Sequence, residues 1–213
     1  MYHREIQDTK PSPVLNGKII PGTWNRAFDD INLLAIKKAY PVPLPKWLKN
    51  YRIKEWQSFH VQDENYYLYA VLSNAKYYRV AQVVLYDKES KEKLIFRKAL
   101  PFGAWKLPRS LYNSAIASSS YGFFFRIHNW LDADLLELDL DIEATRKRPS
   151  FTAHLEFDLT RSSAVPLVVC LPFSDKQCMY AHKVLSPVKG DLVFGGQHIS
   201  MEQNTTSGFF YDY

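Results

Sequence analysis

Only 8 glycines and 2 cysteines occur among the 213 residues, and each scarcity removes a class of chemistry. Cys170 and Cys178 are separated by seven residues, without the two-residue gap of zinc or redox motifs, and each lies in an apolar run where a free thiol behaves as a small hydrophobe. The chain has no glycine-rich phosphate loop, no Gly-x-Ser-x-Gly elbow, no His-Glu-x-x-His and no Cys-x-x-Cys. The six histidines (His3, His60, His128, His154, His182, His198) never recur two to four positions apart, so no metal site and no cofactor are expected. Apolar runs such as residues 165–173 and 121–125 fall short of the roughly 20 residues of a membrane helix. Residues 1–20 carry Glu5 and Asp8 and no apolar stretch, which argues against a secretory signal and for the cytoplasm.

What the chain has in abundance is aromatic rings: 14 Tyr, 13 Phe and 5 Trp, with 46% hydrophobic and 23% charged residues. That composition excludes general disorder and favours strands over a helical bundle. The net charge of +5 conceals an asymmetry. Residues 1–109 hold 19 basic against 10 acidic side chains, and residues 110–213 hold 8 against 12. The basic residues of the first half are scattered among acids, so the reading is a solvated face and not a nucleic-acid partner. Arg146-Lys147-Arg148 before Pro149 reads as a polar turn. Asn204-Thr205-Thr206 fits a glycosylation acceptor that, without a signal sequence, meets no enzyme.

Six of the 12 prolines fall in residues 1–65, which read as an arm and covering loops. Within them Asp29-Asp30 could cap a short helix over residues 31–38. From residue 66 to 213 the period is two, the signature of half-buried antiparallel strands. Strands are expected at 66–73, 77–87, 93–100, 121–130, 135–143, 151–160, 165–171, 178–185 and 191–199. In the clearest, Leu136, Leu138, Leu140 and Ile142 face one way and Glu137, Asp139, Asp141 and Glu143 the other. The predicted fold class is all-β, an antiparallel barrel or sandwich. The aromatic end, residues 208–213, looks like a strand just begun, so the barrel is read as incomplete and the chain as a fragment of something longer.

Candidate site residues follow from these strands. Cys178, Tyr180, His182 and Val184 share one face, with Lys183 on the other, and a buried His182 could serve as general acid or base. Gly195-Gly196, inside the strand that begins at Asp191, suggests a bulge, a corner or the close approach of a ligand. Arg52-Ile53-Lys54-Glu55-Trp56 puts charges beside a large ring where the arm meets the first strand, and could contact what the barrel holds.

Five segments together resemble a family known as domain of unknown function 2804. They are Met1-Tyr2-His3-Arg4-Glu5-Ile6, the stretch from Gly17-Lys18 to Pro21-Gly22-Thr23-Trp24, Arg52-Ile53-Lys54-Glu55-Trp56, the run from Ala104 to Arg109 with Leu107-Pro108, and Tyr180-Ala181-His182-Lys183 leading to Pro187-Val188-Lys189-Gly190. The resemblance implies a lipocalin-like, calycin-type barrel related to tocopherol cyclase and carotenoid hydratase proteins, in members generally longer than this chain. It implies no catalytic residues, and Gln57 stands where relatives are expected to carry an acid. The functional expectation is a module that holds a hydrophobic small molecule, a lipid or isoprenoid, with Lys54, Trp56, Tyr180, Lys183, Gly195 and Gly196 as ligand contacts. The alternative is a hydratase- or cyclase-type enzyme with His182 and Asp191 as acid and base. The sequence is silent on oligomeric state.

Overall fold

Period-two alternation builds most of the chain. The computed structural model describes residues 5–37, 42–100, 106–162, 164–201 and, for the backbone, 206–212. Three short strands, β1 (Val14–Leu15), β2 (Lys18–Ile19) and β3 (Gly22–Trp24), precede the single helical turn α1 (Lys46–Asn50). The main sheet then runs through β4 (Glu55–Gln62), β5 (Tyr66–Asn74), β6 (Arg79–Asp87), β7 (Lys93–Leu100), β8 (Ser114–Ser120), β9 (Phe123–Trp130), β10 (Leu135–Ile142) and β11 (Phe151–Asp158). It ends with β12 (Leu167–Pro172), β13 (Cys178–Phe194), β14 (Gln197–Met201) and β15 (Thr206–Asp212). No described helix is long and apolar enough to cross a membrane.

The strand order is β7-β6-β5-β4-β15-β13-β11-β10-β9-β8, with β12 and β14 flanking β13 and β3 pairing β12. The sheet is antiparallel and curls into a half-barrel whose edges, β7 and β8, are not paired with each other among the described residues. The curl depends on β13, which is 17 residues long and changes partners along its length. Its first part pairs β12 and β15, its last part β11 and β14. Pro187, which has no N–H to donate, falls between the end of the β12 ladder at Lys183 and the start of the β11 ladder at Val188.

The two halves of the sheet face each other, and their inward side chains fill the space. Phe59 of β4 meets Phe157 of β11 with ring centroids 4.5 Å apart, and Phe96 of β7 meets Phe151 at 5.4 Å. Leu68, Leu72, Val83, Phe125, Ile127, Leu138 and Leu155 complete one continuous buried cluster. The wet and dry faces fall as the alternation predicts. Leu136, Leu138, Leu140 and Ile142 are buried, while Asp139, on the outer face, binds Arg126 at 2.9 Å and His154 at 2.7 Å across neighbouring strands.

Several expectations need correction. Residues 55–62 do not belong to an arm. They form β4, between β15 and β5. The helix expected from Asp29-Asp30 is instead a 3-10 turn at Leu33–Ala35 preceded by Asn32. Asp30 is drawn off by a bidentate pair with Arg109, and Lys38 lies outside the described residues. The strand expected over 191–199 is split by a turn. Gly195 and Gly196 both have positive φ, +57° and +84°, between the paired residues Phe194 and Gln197, so they make the two-residue connection of the β13–β14 hairpin. Residues 204 and 205 lie outside the described set.

The arm closes one end of the half-barrel. Trp24, Ala27, Phe28 and Ile31 are buried in the main core, with Trp24 and Phe28 edge to face at 5.3 Å and Phe28 and Tyr180 at 5.6 Å. The Ile31 amide donates to the Arg109 carbonyl at 2.7 Å, and the Tyr112 hydroxyl donates to the Ala27 carbonyl at 3.1 Å. These aromatics plug the end at which β4 and β13 begin.

Candidate functional site

Two features of different character sit at this closed end, on opposite faces of β4. The inner one is a layer of buried polar groups under an otherwise apolar core. Glu55, Gln57, Asn74, Lys76, Arg79, Asn129 and His182 are all buried. Register places them together: Glu55 pairs with Asn74, Asn74 with Arg79, and Gln57 shares a rung with His182 through the backbone of Tyr211. Glu55 and Lys76 form an ion pair at 2.7 Å, and the Asn74 amide donates to the same carboxylate at 3.1 Å. Across the core, the Asn129 amide nitrogen lies 3.2 Å from the Ser114 hydroxyl and 3.5 Å from Oε1 of Gln57.

Burial governs the charge state of this layer. It lowers the Lys76 ammonium, an effect that Glu55 opposes, and it pushes the His182 imidazole down to about 4, so the ring is neutral at pH 7. Burial likewise raises the Tyr180 phenol. Nε2 of Gln57 and Oδ1 of Asn129 find no hydrogen-bond partner among the described residues. Buried polar atoms left in that condition are uncommon and costly.

The outer feature is a pocket of about 360 Å³ between the arm, the start of β4 and the β12–β13 turn. Leu33, Leu34, Ile36 and Ile53 form its floor, with Trp56, Phe173 and Met179 as walls. Four cations, Lys49, Arg52, Lys54 and Lys176, line it, and no acid does among the described residues. Lys54 is held in place by its Nζ, which donates to the Ala75 carbonyl at 2.6 Å and stands 4.5 Å over the Tyr77 ring. Cys178 lines the same pocket as a free thiol hydrogen-bonded to Cys170. A larger, polar cleft of about 840 Å³ lies beside the bend of β13, lined by residues including Asp63, Glu156, Arg161 and Lys189.

The residues singled out from the sequence therefore scatter. Lys54 and Trp56 line the outer pocket. Tyr180 and His182 face the interior, as expected for one face of β13. Asp191 faces outward, more than half exposed and 3.2 Å from His198. It cannot be the partner of His182, because odd-numbered β13 positions near it point away from the core. Lys183 also lies outside, where its charge adds to burial in lowering the His60 imidazole. Gly195 and Gly196, at the other end of β13, touch neither feature. Sequence reasoning missed Asn74 and Asn129, since amides in strands carry no motif, and met Gln57 only as a departure from an expected acid.

The model of the family described as domain of unknown function (DUF2804) matches residues 3–213. The chain belongs to that family. Among solved structures, this DUF2804 chain is similar to kievitone hydratase from Nectria haematococca, with 9% identity and a TM-score of 0.48, over 75% of this chain and 47% of the hydratase. The chain thus spans about half the length of that protein. No curated protein sequence matches it.

Proposed function

We propose that this DUF2804 chain binds an apolar small molecule bearing an acidic group, such as a fatty acid or an isoprenoid acid, in the outer pocket lined by Lys54 and Trp56. The observation that carries this reading is the pocket's composition, an aliphatic and aromatic lining with four cations and, among the described residues, no acid. Its volume falls in the range of small-molecule sites. The sequence reading put the ligand inside the barrel. Phe59, Phe157, Phe96 and Phe151 occupy that space, so the reading moves the ligand to the outer side of β4.

Titration with cis-parinaric acid, followed by its fluorescence, tests this. Trp56 is half-buried, and Trp56→Ala is expected to weaken the probe at least tenfold, about 1.4 kcal/mol, with an unchanged urea midpoint as the folding control. The methyl ester of the same probe is expected to bind several-fold more weakly than the acid, as loss of rim-exposed charge pairs dictates. Equal affinity for acid and ester, with no effect of Trp56→Ala, would overturn the reading.

A second reading, acid–base catalysis in the inner layer, is favoured by Nε2 of Gln57 and Oδ1 of Asn129, which lack a partner among the described residues. It retains His182 and replaces Asp191 with the buried carboxylate of Glu55. The two readings place the ligand on opposite faces of β4, so covalent labelling by a photoreactive ligand separates them.

A further inference from the structure

Three projections crowd around the mouth of the outer pocket, and their tips are aromatic. Helix α1 buries none of its five residues, and Trp47 is 69% exposed. Phe173, in the β12–β13 turn, is 70% exposed, and Tyr51, Tyr77 and Tyr78 are exposed as well. Two of the projections touch: Tyr51, just after α1, and Tyr77, in the β5–β6 turn, have ring centroids 6.3 Å apart, with Tyr78 4.8 Å from Tyr77. Lys49 of α1 and Arg52 just after it line the pocket together with Phe173 and Lys176 of the β12–β13 turn.

The charge of the α1 projection is of one sign. Residues 42–54 contain Lys46, Lys49, Arg52 and Lys54 and no acid. In residues 171–177, Lys176 is balanced by Asp175. Lys76, in the remaining turn, is engaged by Glu55. Trp and Tyr rings with flanking Lys and Arg match the headgroup layer of a bilayer, where an amphipathic ring has one end apolar and one wet. Basic side chains are drawn to an anionic leaflet. A nucleic acid would use the cations and leave the exposed aliphatic Val42, Leu48 and Leu171 without a partner.

We infer that this end of the molecule docks on an anionic lipid surface, with Trp47, Tyr51 and Phe173 at headgroup level and the pocket mouth facing the bilayer. Docking of this kind goes beyond the binding of a ligand in the pocket, because the pair Trp47 and Tyr51 does not line that pocket.

Vesicle flotation of the full chain tests it, with phosphatidylcholine alone and with phosphatidylcholine and phosphatidylserine at about three to one. The chain is expected to float with the anionic vesicles and not with the neutral ones, and to be released as salt is raised. The double variant Trp47→Ser/Tyr51→Ser, and separately Lys46→Glu/Lys49→Glu, are expected to lose at least tenfold in apparent affinity. Trp47→Ser/Tyr51→Ser is expected to keep the parinaric acid affinity, so failure of one reading is visible apart from failure of the other. No flotation, flotation untouched by either double variant, or self-association or nucleic-acid binding through these residues in place of lipid binding would overturn the inference.

Discussion

Gly190→Ala is expected to lower the stability of the chain by about 4 kcal/mol or more, enough to leave many domains of this size largely unfolded. Gly190 stands where β13 passes from one half of the sheet to the other, with φ at +130°. A Cβ there would lie 2.1 Å from the backbone oxygen of His154 and 3.1 Å from Cα of Leu155. Those atoms belong to the β11 backbone, so no side-chain rotation relieves the clash. The added methyl would push apart the Leu155–Gly190 rung of the ladder. Gly196→Ala is the control, because φ is also positive there, +84°, but nothing lies within 4 Å of the built Cβ. It should cost only the conformational penalty of about 1 kcal/mol. Urea midpoints compare the two, and equal losses would refute the role given to Gly190.

Stability is expected to fall on the order of 3 kcal/mol between pH 6.5 and pH 4 through His182 alone. Burial holds the folded imidazole at about 4, against 6.5 for the exposed ring. In that window the unfolded chain takes up a proton that the folded chain refuses, so stability declines as pH falls and levels off below 4. His154 acts in the opposite direction, since Asp139 raises its imidazole, adding stability below its ordinary range that is lost as pH rises. It is 60% exposed and its effect is correspondingly small. The variant His182→Gln isolates the contribution of the buried ring. The difference in unfolding free energy between the original chain and this variant should change with pH by that amount, and a difference independent of pH would mean that the imidazole takes up its proton as readily in the folded chain as in the unfolded one.

How far the sequence could be read depended on whether a strand's inner face was apolar. β10 and β11 were legible in full because every inward position is aliphatic or aromatic. β4 was not, because its inward positions begin Glu55 and Gln57, and polar residues in the core erase the alternation. β8, with the sequence Ser-Ala-Ile-Ala-Ser-Ser-Ser, lacks bulk for the same pattern to show. The site was legible only in part. The segment around Lys54 and Trp56 was marked by charges beside a large ring. Its apolar floor comes from Leu33, Leu34 and Ile36 in the arm, which no local pattern connects with β4. Asp191 was paired with His182 although they stand nine positions apart, and an odd offset along a strand puts two side chains on opposite faces. The inner layer joins β4, β5 and β6 to β8, β9 and β13, contacts that only the curl of the sheet creates.

The claim that the ligand lies outside the half-barrel is tested most directly by photolabelling with a diazirine-bearing fatty acid, mapped residue by residue by mass spectrometry and competed with the unlabelled acid. Competable label is expected on residues 49–56 and 173–179, around the cationic pocket. Competable label confined to Gln57 and Phe59 and to the inward residues Phe125, Ile127 and Asn129 would place the ligand in the interior and contradict the claim.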